Sequence, residues 1–151
     1  MIIQTSRFGQ LEIEDNEIIQ FPQGIPGFPE YKPYTLISVE DSPFYFLQSV
    51  EEGSLSFVLV SPFEFFPSYE FELSADALHE LGHPAREDVR VLNIVTVKDD
   101  IEEATVNLAA PIVWSGATRA GIQVILQDAS YRTKHLLFQS KAGAEEEETP
   151  C

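Results

Sequence analysis

Cysteine is all but absent: the single thiol, Cys151, is the last of 151 residues. It can close no internal disulfide and belongs to no cluster of metal-binding thiols. Cations are scarce too, with 9 Lys and Arg against 25 Asp and Glu and a formal net charge of −16. A field of that sign repels phosphate backbones and anionic membrane surfaces, which argues against nucleic-acid binding, and it steers basic proteins toward the surface. No apolar run approaches the roughly 18 residues of a membrane span. The opening MIIQTSRF has neither the basic nor the apolar region of a signal peptide, so a cytoplasmic location is expected. Catalytic signatures are thin. No serine lies in G-x-S-x-G, and Gly24-Ile25-Pro26-Gly27 lacks both the Lys-Ser/Thr of a phosphate loop and the third glycine of a dinucleotide fingerprint.

Acids are abundant throughout. Residues 140–151 (SKAGAEEEETPC) hold four glutamates and one lysine, a net −3 of the −16, which leaves −13 for residues 1–139. Two segments are therefore expected: a domain over 1–139 and an acidic, disordered tail over 140–151.

Within the domain, apolar residues recur mostly with period two, the mark of strands. Candidate strands are 2–5, 10–14, 17–21, 35–39, 44–50, 56–60, 69–73, 90–97, 104–108 and 122–127. Asp15-Asn16, Asp41-Ser42-Pro43, Glu51-Glu52-Gly53 and Lys98-Asp99-Asp100 supply the reversals between them. A short helix is expected over 75–81, capped by Ser74 and stopped by Gly82-His83-Pro84, with another short turn near 85–88. Many short strands must hide their edges, so the fold class is mainly β: an antiparallel, β-barrel-like single domain with one or two short helices, a two-sheet sandwich being the alternative.

Residues 21–34, FPQGIPGFPEYKPY, carry four prolines and two glycines among large apolar side chains. Proline removes donors and fixes φ while glycine opens positive φ, so the stretch is neither helix nor central strand. Its rings favour a packed corner over a flexible linker, with Tyr31 or Tyr34 available to a partner. PFEFFP at 62–67 reads as a second corner.

His79-Glu80-Leu81-Gly82-His83 matches H-E-x-x-H, in which two histidines one helical turn apart bind zinc and the glutamate acts as base. Gly82 inside the motif and Pro84 directly after it end the helix where the second ligand is needed. A zinc-dependent hydrolase built on this motif is thus the alternative function, and neither metal, cofactor nor catalytic residue is assigned. The aromatic run offers more: Phe63, Phe65 and Phe66 with Glu64, Glu70 and Glu72 make an apolar centre with an acidic rim, a pattern suited to binding protein. Asn107 and Pro111 are further contact candidates, because a proline inside an apolar strand marks an edge or bulge where chains dock.

FPQGIPGFPEYKPYTL at 21–36, SPFYFLQSVEEGSLSFVLVSPFEFFPSYEFEL at 42–73, VLNIVTV at 91–97, TVNLAAPIVW at 105–114 and GIQVIL at 121–126 together resemble the FliW family of flagellar assembly factors, over about residues 1–138. Trp114 departs from the small or aliphatic residue expected after the A-P-I-V run. The resemblance implies a non-enzymatic cytoplasmic protein with two mutually exclusive partners. One is flagellin; the other is CsrA, the small basic dimeric RNA-binding protein that represses flagellin translation. Release from flagellin would let the protein capture CsrA and relieve repression, by an antagonism that the resemblance makes allosteric. No direct contact with nucleic acid or membrane is implied. A generic acidic barrel with an unknown ligand is the third class.

Overall fold

Alternation decides which side chains meet, and in the two central strands both faces are apolar. The computed structural model describes residues 1–97 and 99–138. In chain order its elements are β1 (Ile2–Thr5), β2 (Gly9–Glu12), β3 (Ile18–Gln20), β4 (Pro33–Ser38), β5 (Phe44–Ser49) and β6 (Ser56–Val60). The single helical turn α1 (Pro62–Phe65), helix α2 (Ala75–Glu80), β7 (Val89–Thr96), β8 (Thr105–Val106), β9 (Ile112–Ser115), β10 (Gly121–Gln123) and β11 (His135–Leu136) follow. Short 3-10 turns occupy Asp15–Glu17, Arg86–Asp88 and Ile101–Glu103.

β1 and β2 form a separate hairpin, while the main sheet runs β10-β9-β7-β6-β5-β4-β3, with β8 joining β7 and β11 joining β8. Every strand pairing among the described residues is antiparallel. The sheet curls until β3 meets the turn before β10: Gln20 N–H donates to the Arg119 carbonyl at 2.8 Å, and Gln20 and Ala120 form one parallel bridge. That contact covers the edges without a closing ladder, so the barrel stays open.

β7 is where the sheet divides. Val89 to Leu92 pair with β9, whereas Val95 and Thr96 pair with β8. Leu59 of β6 and Leu92 and Ile94 of β7 pack with Ile19, Phe21, Tyr34, Leu47, Ile112 and Trp114 in one core. Val58, Val60 and Val95, one residue out of phase, face the other way onto Tyr69, Val106, Leu108 and Leu137. Two-sided burial needs a second cover. It comes from the aromatic corner and from the last described segment, through Phe65, Phe66, Phe71, Tyr131 and Phe138.

The corner at 21–34 is packed. Phe21, Ile25 and Tyr34 are buried, and the Phe21 and Tyr34 rings meet edge to face at 5.5 Å. Tyr34 is therefore withdrawn from any partner, while Tyr31 is half-buried. The expected strand at 69–73 does not form: Tyr69 to Leu73 belong to no ladder among the described residues, and the Glu70 N–H donates instead to the Tyr131 hydroxyl at 3.2 Å. β9 lies where no strand was expected. Ser74 caps α2 as anticipated, its hydroxyl accepting the Ala77 N–H at 3.1 Å. Residues 140–151, including Cys151, and Lys98 of the reversal at 98–100 lie outside the described residues.

Two buried tyrosines make a test of this packing. The Tyr34 hydroxyl is buried with no partner, whereas the Tyr69 hydroxyl donates to the Leu108 carbonyl at 2.7 Å and accepts from Asn93 Nδ2 at 3.3 Å. Burial pushes Tyr34 up to about 12, aided by Glu30, Glu51 and Tyr31; burial likewise pushes Tyr69 up to about 12, against the opposing Asn93 hydrogen bond and with help from Tyr131. Tyr34→Phe should leave stability unchanged or raise it by about 1 kcal/mol, and Tyr69→Phe should cost about 1–3 kcal/mol by orphaning the Leu108 carbonyl. Urea midpoints at constant m measure both. Because the folded state keeps both hydroxyls protonated beyond the ordinary value near 10, wild-type stability should fall as pH rises from about 10 to 12.

Candidate functional site: an acidic-rimmed groove at the aromatic corner

The corner after β6 begins with Ser61-Pro62. Proline at the first helical position suits α1, and Phe66 closes the turn by donating its N–H to the Pro62 carbonyl at 2.7 Å. One helical turn cannot bury three phenylalanines on one face, and the structure divides them. Phe65 packs on Phe138 and Phe66 on the His135 ring, both half-buried, while Phe63 is 45% exposed and leans on Tyr69 at 6.0 Å. Glu64, Glu70 and Glu72 are all exposed.

Beyond Phe63, burial alternates along 69–73: Tyr69, Phe71 and Leu73 inward with Glu70 and Glu72 outward. This segment forms one wall of an open groove of about 560 Å³; Leu78, Pro84, Arg86, Val89 and Val91 form the other. Its floor is aromatic and aliphatic. Its polar lining is Glu70, Glu72 and Arg86, while the Tyr69 hydroxyl is turned away into the interior, where it bonds Leu108 and Asn93. Of the residues singled out in the sequence, Phe63, Glu70 and Glu72 line the groove; Glu64, Phe65 and Phe66 sit on the adjoining turn.

Neither Asn107 nor Pro111 lines the groove. Pro111 is buried, and its carbonyl accepts the Val124 N–H at 2.9 Å. Asn107 Oδ1 accepts the Ala109 N–H at 3.1 Å, and its carbonyl accepts from Asn93 Nδ2 at 2.8 Å. Together with the Tyr69 hydroxyl, these bonds form a buried polar knot that fixes the irregular chain between β8 and β9. Asn93 had a signal in the sequence, as the polar residue inside VLNIV. The far wall had none, because α2 and the 84–91 segment approach the corner only in the fold.

The HELGH residues sit differently from a zinc-binding helix. α2 ends at Glu80; Gly82 has φ +80° and His83 φ +51°, so the chain has left the helix before the second histidine. The two rings stand edge to face with centroids 5.6 Å apart. Among the described residues no group of three or more His, Cys, Asp or Glu side chains converges.

His135, beneath the corner, carries a pH-dependent contact. Its Nε2 accepts the Arg132 N–H at 2.8 Å, and burial, then the Arg132 charge, holds the imidazole below its ordinary value. A depressed histidine favours folding fully above the unfolded value near 6.5, and that contribution is lost as pH falls toward the folded value. The urea midpoint should therefore fall on acidification from pH 7 to 5, less steeply in His135→Gln.

The architecture is thus a mainly β, barrel-like antiparallel domain with an apolar surface groove between a corner and a short helix. Among the described residues no helix is long and apolar enough to cross a membrane. The family model for FliW protein matches residues 2–137, and the chain belongs to that family. It is 46% identical to the flagellar assembly factor FliW of Geobacillus kaustophilus (strain HTA426) over 93% of this chain and 98% of that protein. Against the protein of the same name from Bacillus subtilis (strain 168) it is 44% identical, over 89% of this chain and 95% of the relative. A crystal structure of the flagellar assembly factor FliW superposes with a TM-score of 0.88 at 44% identity, covering 93% of this chain and 99% of the other.

Proposed function

We propose that this protein is a cytoplasmic, non-catalytic regulator of flagellar assembly that binds flagellin and, once released, binds and antagonises the translational repressor CsrA. The observation that carries the reading is the apolar groove with its acidic rim on a domain of net charge −13. Membership of a family whose relatives bear the name flagellar assembly factor supports the setting. An apolar centre supplies binding energy when desolvated, while charges around it govern encounter rate and choice of partner. A basic RNA-binding dimer suits the field, and acids brought beside its RNA surface would repel phosphate. The same field leaves the protein itself poorly suited to hold RNA.

The test is calorimetric titration with CsrA at two salt concentrations, repeated with the preformed flagellin complex. Tight binding that weakens with salt and vanishes in the presence of flagellin is the expected result. An absence of heat at both salts, with both proteins folded, would remove the reading.

A further inference from the structure

A second cavity of about 560 Å³ lies away from the groove, bounded by Asn16 and Glu17 of the first 3-10 turn, Leu36, Arg90, Trp114 and Arg119. Two arginines meeting in one pocket are notable in a chain with 9 Lys and Arg in total. Among the described residues neither has a carboxylate partner, although Glu17 lines the same space.

Arg119 is held there at a conformational cost. Its φ is +62°, a region that disfavours any side chain with a Cβ. The turn carrying it is tied down: Ser115 Oγ accepts the Ala117 and Thr118 N–H groups at 3.1 Å each, and Thr118 Oγ1 donates to the Leu81 carbonyl at 2.9 Å. Arg119 N–H donates to the Ser115 carbonyl at 2.9 Å. Despite this fixation its Nε is buried with no hydrogen-bond partner. Glycine would meet the backbone requirement without strain, and a buried guanidinium nitrogen without an acceptor is costly. Arg90 is oriented as well, Nη1 donating to the Glu87 carbonyl at 2.8 Å, which leaves its Nη2 uncommitted over Gly116.

We propose that this pocket is a receptor for a peptide carboxylate, which takes the free guanidinium donors of Arg90 and Arg119 and packs its carbon chain toward Trp114 and Leu36. Guanidinium forks match the planar carboxylate. Glu17 on the rim and the negative field favour a monoanion over a phosphate dianion.

Trp114 is the only tryptophan in the chain and lines this pocket, so its fluorescence reports on occupancy there. The full chain is titrated, at constant ionic strength, with Ac-Ala-Glu-Ala-amide, Ac-Ala-Leu-Ala bearing a free carboxylate, uncharged Ac-Ala-Leu-Ala-amide and inorganic phosphate. A saturable response to at least one carboxylate peptide, absent with the uncharged peptide and at least tenfold weaker with phosphate, is expected. Which carboxylate peptide binds tighter separates a partner's acidic side chain from a partner's C-terminus. Arg119→Gly, which relieves the left-handed strain, should melt no lower than wild type yet bind at least tenfold more weakly. Arg90→Gln, at an exposed position, should weaken binding without touching the turn. Retained affinity in both variants, or a response that phosphate or the uncharged peptide reproduces, would overturn the proposal.

Discussion

Gly24→Ala should cost about 3–5 kcal/mol, from overpacking plus left-handed strain, enough to leave a typical domain marginal. A Cβ built on Gly24 would lie 2.5 Å from Pro29 Cα, 2.7 Å from its carbonyl oxygen and 2.8 Å from its carbonyl carbon. All three are backbone atoms of a segment fixed by Pro26, Pro29 and Pro33, so no rotamer change relieves the clash. Its φ of +68° adds strain whatever the space. The corner would have to open, and with it Phe21 and Ile25 would leave the core. Gly27, three residues on, is the internal control. Its φ is +95°, yet a Cβ there would have nothing within 4 Å, so Gly27→Ala should cost only the backbone term of about 1–2 kcal/mol. Urea denaturation of the two variants separates steric closure of the corner from left-handed strain.

That corner was legible because its chemistry is local: prolines and glycines set dihedral angles, and large rings demand burial wherever the chain goes. β1 and β6 were legible for the same reason, and their ends coincide with the expected 2–5 and 56–60. At 69–73 the alternation gave the correct sidedness but no ladder. Tyr69 is buried and Glu70 and Glu72 are exposed, yet the segment joins no ladder among the described residues, and pairing is a property of neighbours rather than of sequence. β9 failed in the opposite way. All four of its residues are buried, so period two disappears where both faces are covered. Half of the groove was legible, since the phenylalanines and glutamates of the corner announce themselves in ten residues. Leu78 and Val91 read as ordinary helix and strand positions, and Pro84 as a helix stop, until the fold brings them opposite. The arginine pair of the second cavity is similar: residues 90 and 119 are far apart in sequence, and only the pairing of β7 with β9 brings them together.

Phe63→Ala should weaken partner binding by about 10–100-fold, or about 1.4–2.8 kcal/mol, with little change in the stability of the free protein. Phe63 is nearly half exposed and touches the fold chiefly through Tyr69, so its truncation opens no cavity in either core. An exposed aromatic ring beside an apolar floor is the kind of side chain that anchors an interface, because it brings large area with little rotamer entropy. Glu70→Gln with Glu72→Gln should behave differently. Removing rim charges should slow association and flatten the salt dependence while leaving dissociation nearly unchanged, whereas loss of Phe63 should speed dissociation at every salt concentration. Both sets of rates are measured against CsrA and against flagellin. The partner that responds to Phe63 is the occupant of the groove, and a partner that responds to neither change binds elsewhere on the acidic surface. If both proteins respond alike, the proposed exclusion follows from a shared site; if only one does, the proposed exclusion must be transmitted through the domain. The buried knot of Asn93, Asn107 and Tyr69 is then the element to test, because it joins the groove floor to the chain between β8 and β9.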